Sequence, residues 1–252
     1  MLNDKQIVIV IGCPRSGTTL MQSQLAKYFN FASLMETHFI PVFNKYLFLW
    51  NYCRRGKSRI KLLDAINEFT KIRWVIGSGY TLSKITETSI LAALDDPFNI
   101  ASQTNDYSSL IEHLFLRYAD LHNSIGVVDK FSYYNAVNSQ EITKLLPNAK
   151  FIHVIRDGRD VSLSWQSTWF GPTTITEAAL LWRKQLLEYR KLKNIIPNRY
   201  MEIKYEDLLC NQALVLDKIG LFFGKKASYD VRDFNNINFE TLAEKEHYKK
   251  AA

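Results

Sequence analysis

The sequence predicts an α/β fold in which a parallel sheet lies between two layers of helices. Three observations lead there. The runs QIVIVI (6–11) and KFIHVI (150–155) are continuously apolar and rich in β-branched residues, as strands buried on both faces must be. Segments with helical periodicity separate these strands from shorter strand candidates. Polar clusters at 12–19, 35–38, 130 and 156–164 each follow a strand, and open parallel sheets bind ligands just outside the carboxyl ends of their strands.

Composition narrows the class. A chain of 252 residues, 47% of them hydrophobic, buries a sizeable core and is read as one domain over 1–252. The net charge of +7 suits an anionic ligand, but no basic patch is concentrated enough to imply a nucleic-acid partner. Cys13, Cys53 and Cys210 are scattered and odd in number, which argues against a disulfide framework and fits a reducing compartment. Cys13 reads as a small buried thiol rather than a nucleophile. No apolar run approaches the roughly eighteen residues of a membrane span. Asp4 and Lys5 lead directly into a core strand, unlike a secretory leader. The expectation is a soluble, cytoplasmic protein. His38, His113, His122, His153 and His247 are dispersed without metal-ligand spacing, so no metal is expected.

The elements follow in order. After the first strand, Gly12-Cys13-Pro14-Arg15-Ser16-Gly17 forms a turn, and a helix runs from about Thr18 to Phe29. Phe31 to Leu34 is a short second strand ending at Met35-Glu36-Thr37-His38. Residues 40–123 read as mainly helical, with helices over Ile60 to Trp74 and Ser108 to His122. Gly126 to Asp129 is a strand that ends at Lys130, and a helix over Ser139 to Leu146 closes at Pro147. KFIHVI then breaks at Arg156-Asp157-Gly158-Arg159-Asp160 and resumes as the helix VSLSWQS. Thr174 and Glu177 form a capping box for a helix to about Lys193, with Ala179, Trp182, Leu186 and Tyr189 along one face. Arg199 to Lys204 is the last strand, and a helix follows from Tyr205 to near Gly224.

A strand, a glycine-bearing turn and a helix start bring backbone N–H groups and the helix dipole onto an anion. The spacing Gly12-x-x-x-x-Gly17 is that of a phosphate loop, but Thr18 stands where a nucleotide triphosphatase needs Lys. Arg15 supplies a cation inside the loop instead. Farther on, Arg156 ends a buried strand and Ser164 follows eight residues later. A guanidinium forks onto phosphate, and a hydroxyl two helical turns on can share the same anion.

In this wording and order, PRSGTT (14–19), PNAKFIHVIRDGRDVSLSW (147–165) and IKYEDL (203–208) resemble the sulfotransferases that use 3′-phosphoadenosine 5′-phosphosulfate (PAPS). The pattern is closest to the carbohydrate and tyrosyl-protein branch. The resemblance implies a three-layer, P-loop-type fold, with the helical insertion at 40–123 forming the acceptor side. PAPS would be the donor and adenosine 3′,5′-bisphosphate (PAP) the product. Pro14, Arg15, Ser16, Gly17, Thr18 and Thr19 would form the 5′-phosphosulfate loop. Arg156 and Ser164 would hold the 3′-phosphate, and Tyr205 would lie near the adenine or that phosphate. Lys130 and Arg15 would stabilise the transferring group. Here Lys130 precedes Phe131-Ser132, a departure from the Lys-Thr-Pro or Lys-Asp-Pro of the family.

Transfer to a hydroxyl or amine needs a base within reach of the acceptor proton. Glu36 matches that position in the carbohydrate branch, and His38 is its rival by analogy with the small-molecule branch. The acceptor would be a small molecule, a carbohydrate or a peptide. A basic C-terminal segment usually closes over the nucleotide; either Lys245, Lys249 and Lys250 do this or the segment lies beyond Ala252. Two other classes remain. A P-loop small-molecule kinase is disfavoured by the missing Lys and the lack of an evident magnesium-binding Asp at a strand end. A non-catalytic nucleotide-binding module would keep the loop without the chemistry.

Overall fold

A computed structural model describes residues 5–34, 107–131, 139–168 and 170–230. The candidate bases Glu36 and His38, the expected helix over Ile60 to Trp74 and the lysines 245, 249 and 250 lie outside the described residues.

Five parallel strands form one sheet in the order β2-β3-β1-β4-β5: β1 Gln6–Ile11, β2 Phe31–Ser33, β3 Gly126–Phe131, β4 Lys150–Ile155 and β5 Tyr200–Lys204. β1 is central, and Val8, Ile9, Val10 and Ile11 are fully buried. Alternate residues face opposite layers. Ile7, Ile9 and Ile11 join Val127 and Phe151 against α2 (Tyr107–Leu121) and α3 (Ser139–Leu145). Val8 and Val10 join Val128, Ile152 and Val154 against α1 (Thr18–Phe29) and α8 (Gln212–Phe223). A continuous apolar run is therefore what this position demands. Truncating Ile9 to Ala would cost about 2–5 kcal/mol.

The order places β1 between β3, reached after β2, and β4, reached later, so the chain changes direction across the sheet at β1. This is the switch point where a crevice opens beyond the strand ends. The loop after β1 and the turn after β4 both open there.

Three helix boundaries differ from the sequence reading, each for a local reason. α4 spans Gly158–Gln166 and begins three residues before Val161. Gly158 looked like a breaker, but the Asp157 carboxylate caps the helix by accepting from the Arg159 N–H at 2.8 Å. Thr174 does cap α5 (Ile175–Arg190), its hydroxyl accepting from the Glu177 N–H at 3.1 Å. The expected single helix to Lys193 is divided into α5 and the short α6 (Leu192–Ile195), with Lys191 N–H bonding back to Glu188 O in a tightened turn. The buried face of α5 carries Ala178, Gln185 and Tyr189, so Ala179 is exposed rather than inward. The expected helix from Tyr205 to Gly224 is two, α7 (Tyr205–Cys210) and α8, parted at Asn211, whose backbone leaves the helical region.

Candidate functional site

The loop after β1 is bent by two residues in the left-handed region, Arg15 (φ 71°) and Gly17 (φ 90°). Ser16 N–H bonds to Cys13 O at 3.1 Å, closing the turn, and Met21 N–H bonds to Gly17 O at 3.0 Å, opening α1. Gly17 is the N-cap of α1 and no side chain caps the helix. Its first N–H groups and the positive end of its dipole are thus left for another acceptor. Ser16 is buried (1% exposed), and its hydroxyl has no hydrogen-bond partner. A buried hydroxyl without a partner carries a desolvation cost that a bound acceptor would relieve. Loop, uncapped helix and orphaned hydroxyl together fit a phosphate-like group.

The second motif folds onto this loop. Arg15 Nε donates to Ser164 Oγ at 2.9 Å, and Arg156 Nη1 donates to the Arg15 carbonyl at 3.2 Å. The Arg156 guanidinium lies over the Tyr205 ring, 4.6 Å from its centroid. That ring also covers Gly17, where a Cβ would fall 2.2 Å from Tyr205 Cδ2. Only glycine satisfies both the backbone angle and the contact. Arg156 Nε is buried without a hydrogen bond, with Asp160 Oδ2 3.8 Å away. Two guanidinium groups, a helix N-terminus and two hydroxyls therefore converge from sequence-distant segments.

The turn carrying Arg156 has further supports. Glu206 Oε1 accepts from the Asp157 N–H at 2.9 Å. The Asp157 carboxylate is held well below the usual range, at about 2, by its bonds to Arg159. Trp182 on α5 lies against Gly158. Sequence reasoning passed over Glu206 and Trp182 as site residues, because neither contact follows from local spacing. The sequence held two signals: Glu206 follows Tyr205 at a strand end, and Trp182 has a counterpart in the family that the chain resembles, though a Trp on an amphipathic helix reads first as core.

The remaining candidates fall as follows. Pro14 and Thr18 are buried in the loop and Thr19 is exposed at the start of α1. Lys130 is half-buried on β3, paired in register with Val10, and its backbone N–H donates to the buried Asp129 carboxylate at 2.8 Å. Cys13 is buried within the loop, and burial pushes its thiol pKa far up, which favours the unreactive thiol form. His153 lies on β4, buried, with Nδ1 2.7 Å from the Tyr200 hydroxyl. Among the described residues, no group of three or more His, Cys, Asp or Glu could hold a metal, and no helix is long and apolar enough to cross a membrane.

Comparison with known proteins bears on the fold and the family. A search of the curated proteins gives no match. Among the solved structures that match, two illustrate the shared fold. One is the sulfotransferase domain from the Synechococcus PCC 7002 olefin synthase, at 20% identity and a TM-score of 0.56. The other is the sulfotransferase domain from the curacin biosynthetic pathway, at 18% identity and a TM-score of 0.57. Each alignment covers 90% of this chain and 76% of the other. The family pattern described as "Sulfotransferase family" matches residues 7–228, from β1 past the end of α8. On that match, the chain belongs to the sulfotransferase family.

Proposed function

We propose that this chain is a PAPS-dependent sulfotransferase that moves a sulfuryl group to a hydroxyl or amine on a small molecule, carbohydrate or peptide. One observation carries the reading: the phosphate loop and the Arg156–Ser164–Tyr205 group meet in a single site, joined by the Arg15–Ser164 hydrogen bond. A ligand anionic at two separate positions needs two such holders, and a nucleotide bearing 5′- and 3′-groups is of that kind.

The donor supplies a sulfuryl group already activated by its bond to phosphate. Ser16, Gly17, Thr18 and Thr19, in the turn shaped by Pro14, hold the 5′-phosphosulfate through backbone N–H groups and hydroxyls. Arg156 and Ser164 hold the 3′-phosphate, and Tyr205 supports the Arg156 guanidinium beside it. Arg15 and Lys130 offset negative charge that develops on the leaving phosphate. The acceptor oxygen or nitrogen bonds to sulfur as the sulfur–oxygen bond to that phosphate breaks, and the acceptor proton passes to Glu36, which we favour over His38. PAP leaves. Cationic side chains do the work that a metal does in phosphoryl transfer, so none is required. The chain acts as one domain over 1–252, with 40–123 lining the acceptor side.

The test is a product assay with PAPS, a panel of acceptors and a magnesium chelator. Release of PAP together with a sulfated acceptor is the expected result. Phosphate transfer from magnesium-ATP, with no PAP released from PAPS, would overturn the reading in favour of a kinase.

A further inference from the structure

Arg156, Asp157 and Gly158 leave β4 and enter α4 within three residues, and each is held by a different contact. Arg156 rests on Tyr205, the first residue of α7. Asp157 donates its N–H to Glu206, the second residue of α7. Gly158 lies on Trp182 of α5, where a Cβ would come within 2.8 Å of Trp182 Cε3 and Cζ3. Trp182 packs in turn against the cluster of Cys13, Val161 and Trp165, and so reaches the base of the first loop.

The Asp157 carboxylate cannot replace Glu206. It already caps α4 at the Arg159 N–H (2.8 Å) and pairs with the Arg159 guanidinium at 2.6 Å. Without Glu206 the Asp157 N–H loses its protein acceptor, and the turn that aims Arg156 loses its tie to the element carrying Tyr205.

We infer that Glu206 and Trp182 are positioning residues for the Arg156 guanidinium, acting through the Asp157 amide and through Gly158. This rests on the donor reading above, in which Arg156 meets the 3′-phosphate. A held guanidinium keeps its fork aligned on the anion; one free to swing loses part of that bond.

The experiment compares the affinities of the wild type, Glu206→Ala, Glu206→Gln and Trp182→Phe for two ligands. PAP carries the 3′-phosphate and adenosine 5′-phosphosulfate lacks it. Glu206 is exposed, so its variants should remain folded, and thermal melting checks this. We expect Glu206→Ala to lose about tenfold in PAP affinity, as for a charge-assisted hydrogen bond, with binding of adenosine 5′-phosphosulfate unchanged. Glu206→Gln keeps an acceptor oxygen and should restore most of the loss. Trp182→Phe should lose PAP selectivity in the same direction. If the wild type prefers PAP and Glu206→Ala keeps that preference in full, the inference is wrong while the donor reading stands. If the wild type shows no preference for PAP, the donor reading falls and the inference with it.

Discussion

Arg15 Nε donates to Ser164 Oγ across 2.9 Å, linking the loop after β1 to the second turn of α4 over 149 residues of sequence. A hydroxyl has one proton and two acceptor sites. By accepting from Arg15, Ser164 keeps its own proton for an anion. We therefore expect Ser164→Ala to weaken PAP binding by about tenfold or more, the worth of a hydrogen bond to a charged group. Turnover at saturating donor should change little. Unchanged PAP affinity would remove Ser164 from the site.

Gly17 and Tyr205 are packed face to backbone at a left-handed residue. Gly17→Ala would add about 1–2 kcal/mol of backbone strain and push the ring away, carrying Arg156 with it. The expected result is a modest drop in melting temperature and a much larger loss of PAP affinity. Tyr205→Phe keeps the ring and should bind nearly normally, whereas Tyr205→Ala should not. Calorimetry on the three variants decides.

Glu36 and His38 lie outside the described residues, and the roles proposed for them come from the sequence resemblance. Loss of a general base typically costs about 10²–10⁴ in turnover. We expect that loss for Glu36→Ala, with PAP affinity retained, and a smaller effect for His38→Ala. A Glu36→Ala enzyme with full activity would transfer the role away from Glu36.

His153 provides a check on stability rather than on chemistry. Burial pushes its pKa from 6.5 down to about 4, opposed by Glu202, while Arg190 lowers it further. Its ring faces Tyr200 and Tyr189, with Glu202 3.8 Å away and bonded to Arg190 at 2.8 and 3.0 Å. A histidine depressed in the fold stabilises above its unfolded pKa, because between the two values the unfolded chain binds the extra proton. The contribution is fully present above about pH 6.5 and is lost as pH falls toward 4, on the order of 3 kcal/mol. Urea midpoints across that range should fall steeply for the wild type and less steeply for His153→Asn. Equal slopes would show that His153 does not titrate with unfolding.

The sheet was legible because strands buried on both faces need continuous apolar runs; the bounds of β1 and β4 follow directly from QIVIVI and KFIHVI. The first loop was equally legible, since glycine spacing is a local requirement. What the sequence concealed is partly local capping and partly tertiary contact. α4 starts early because the Asp157 side chain, rather than periodicity, sets its first turn. Asn211 looked compatible with a continuing helix, yet its backbone ends α7. The inward face of α5 runs through Ala178 instead of Ala179, a one-residue shift that two apolar neighbours cannot reveal. The Glu206–Asp157 and Trp182–Gly158 contacts join segments with no common spacing, so only the fold brings them to notice.

The central claim is that two anion holders form one nucleotide site, and titration calorimetry with PAP and with ATP, each with and without magnesium, tests it most directly. We expect PAP to bind without any need for magnesium, more tightly than ATP, and about a hundredfold more weakly to Arg156→Ala, because a bidentate guanidinium–phosphate contact is lost. Preferential binding of magnesium-ATP, or PAP affinity untouched by Arg156→Ala, would contradict it.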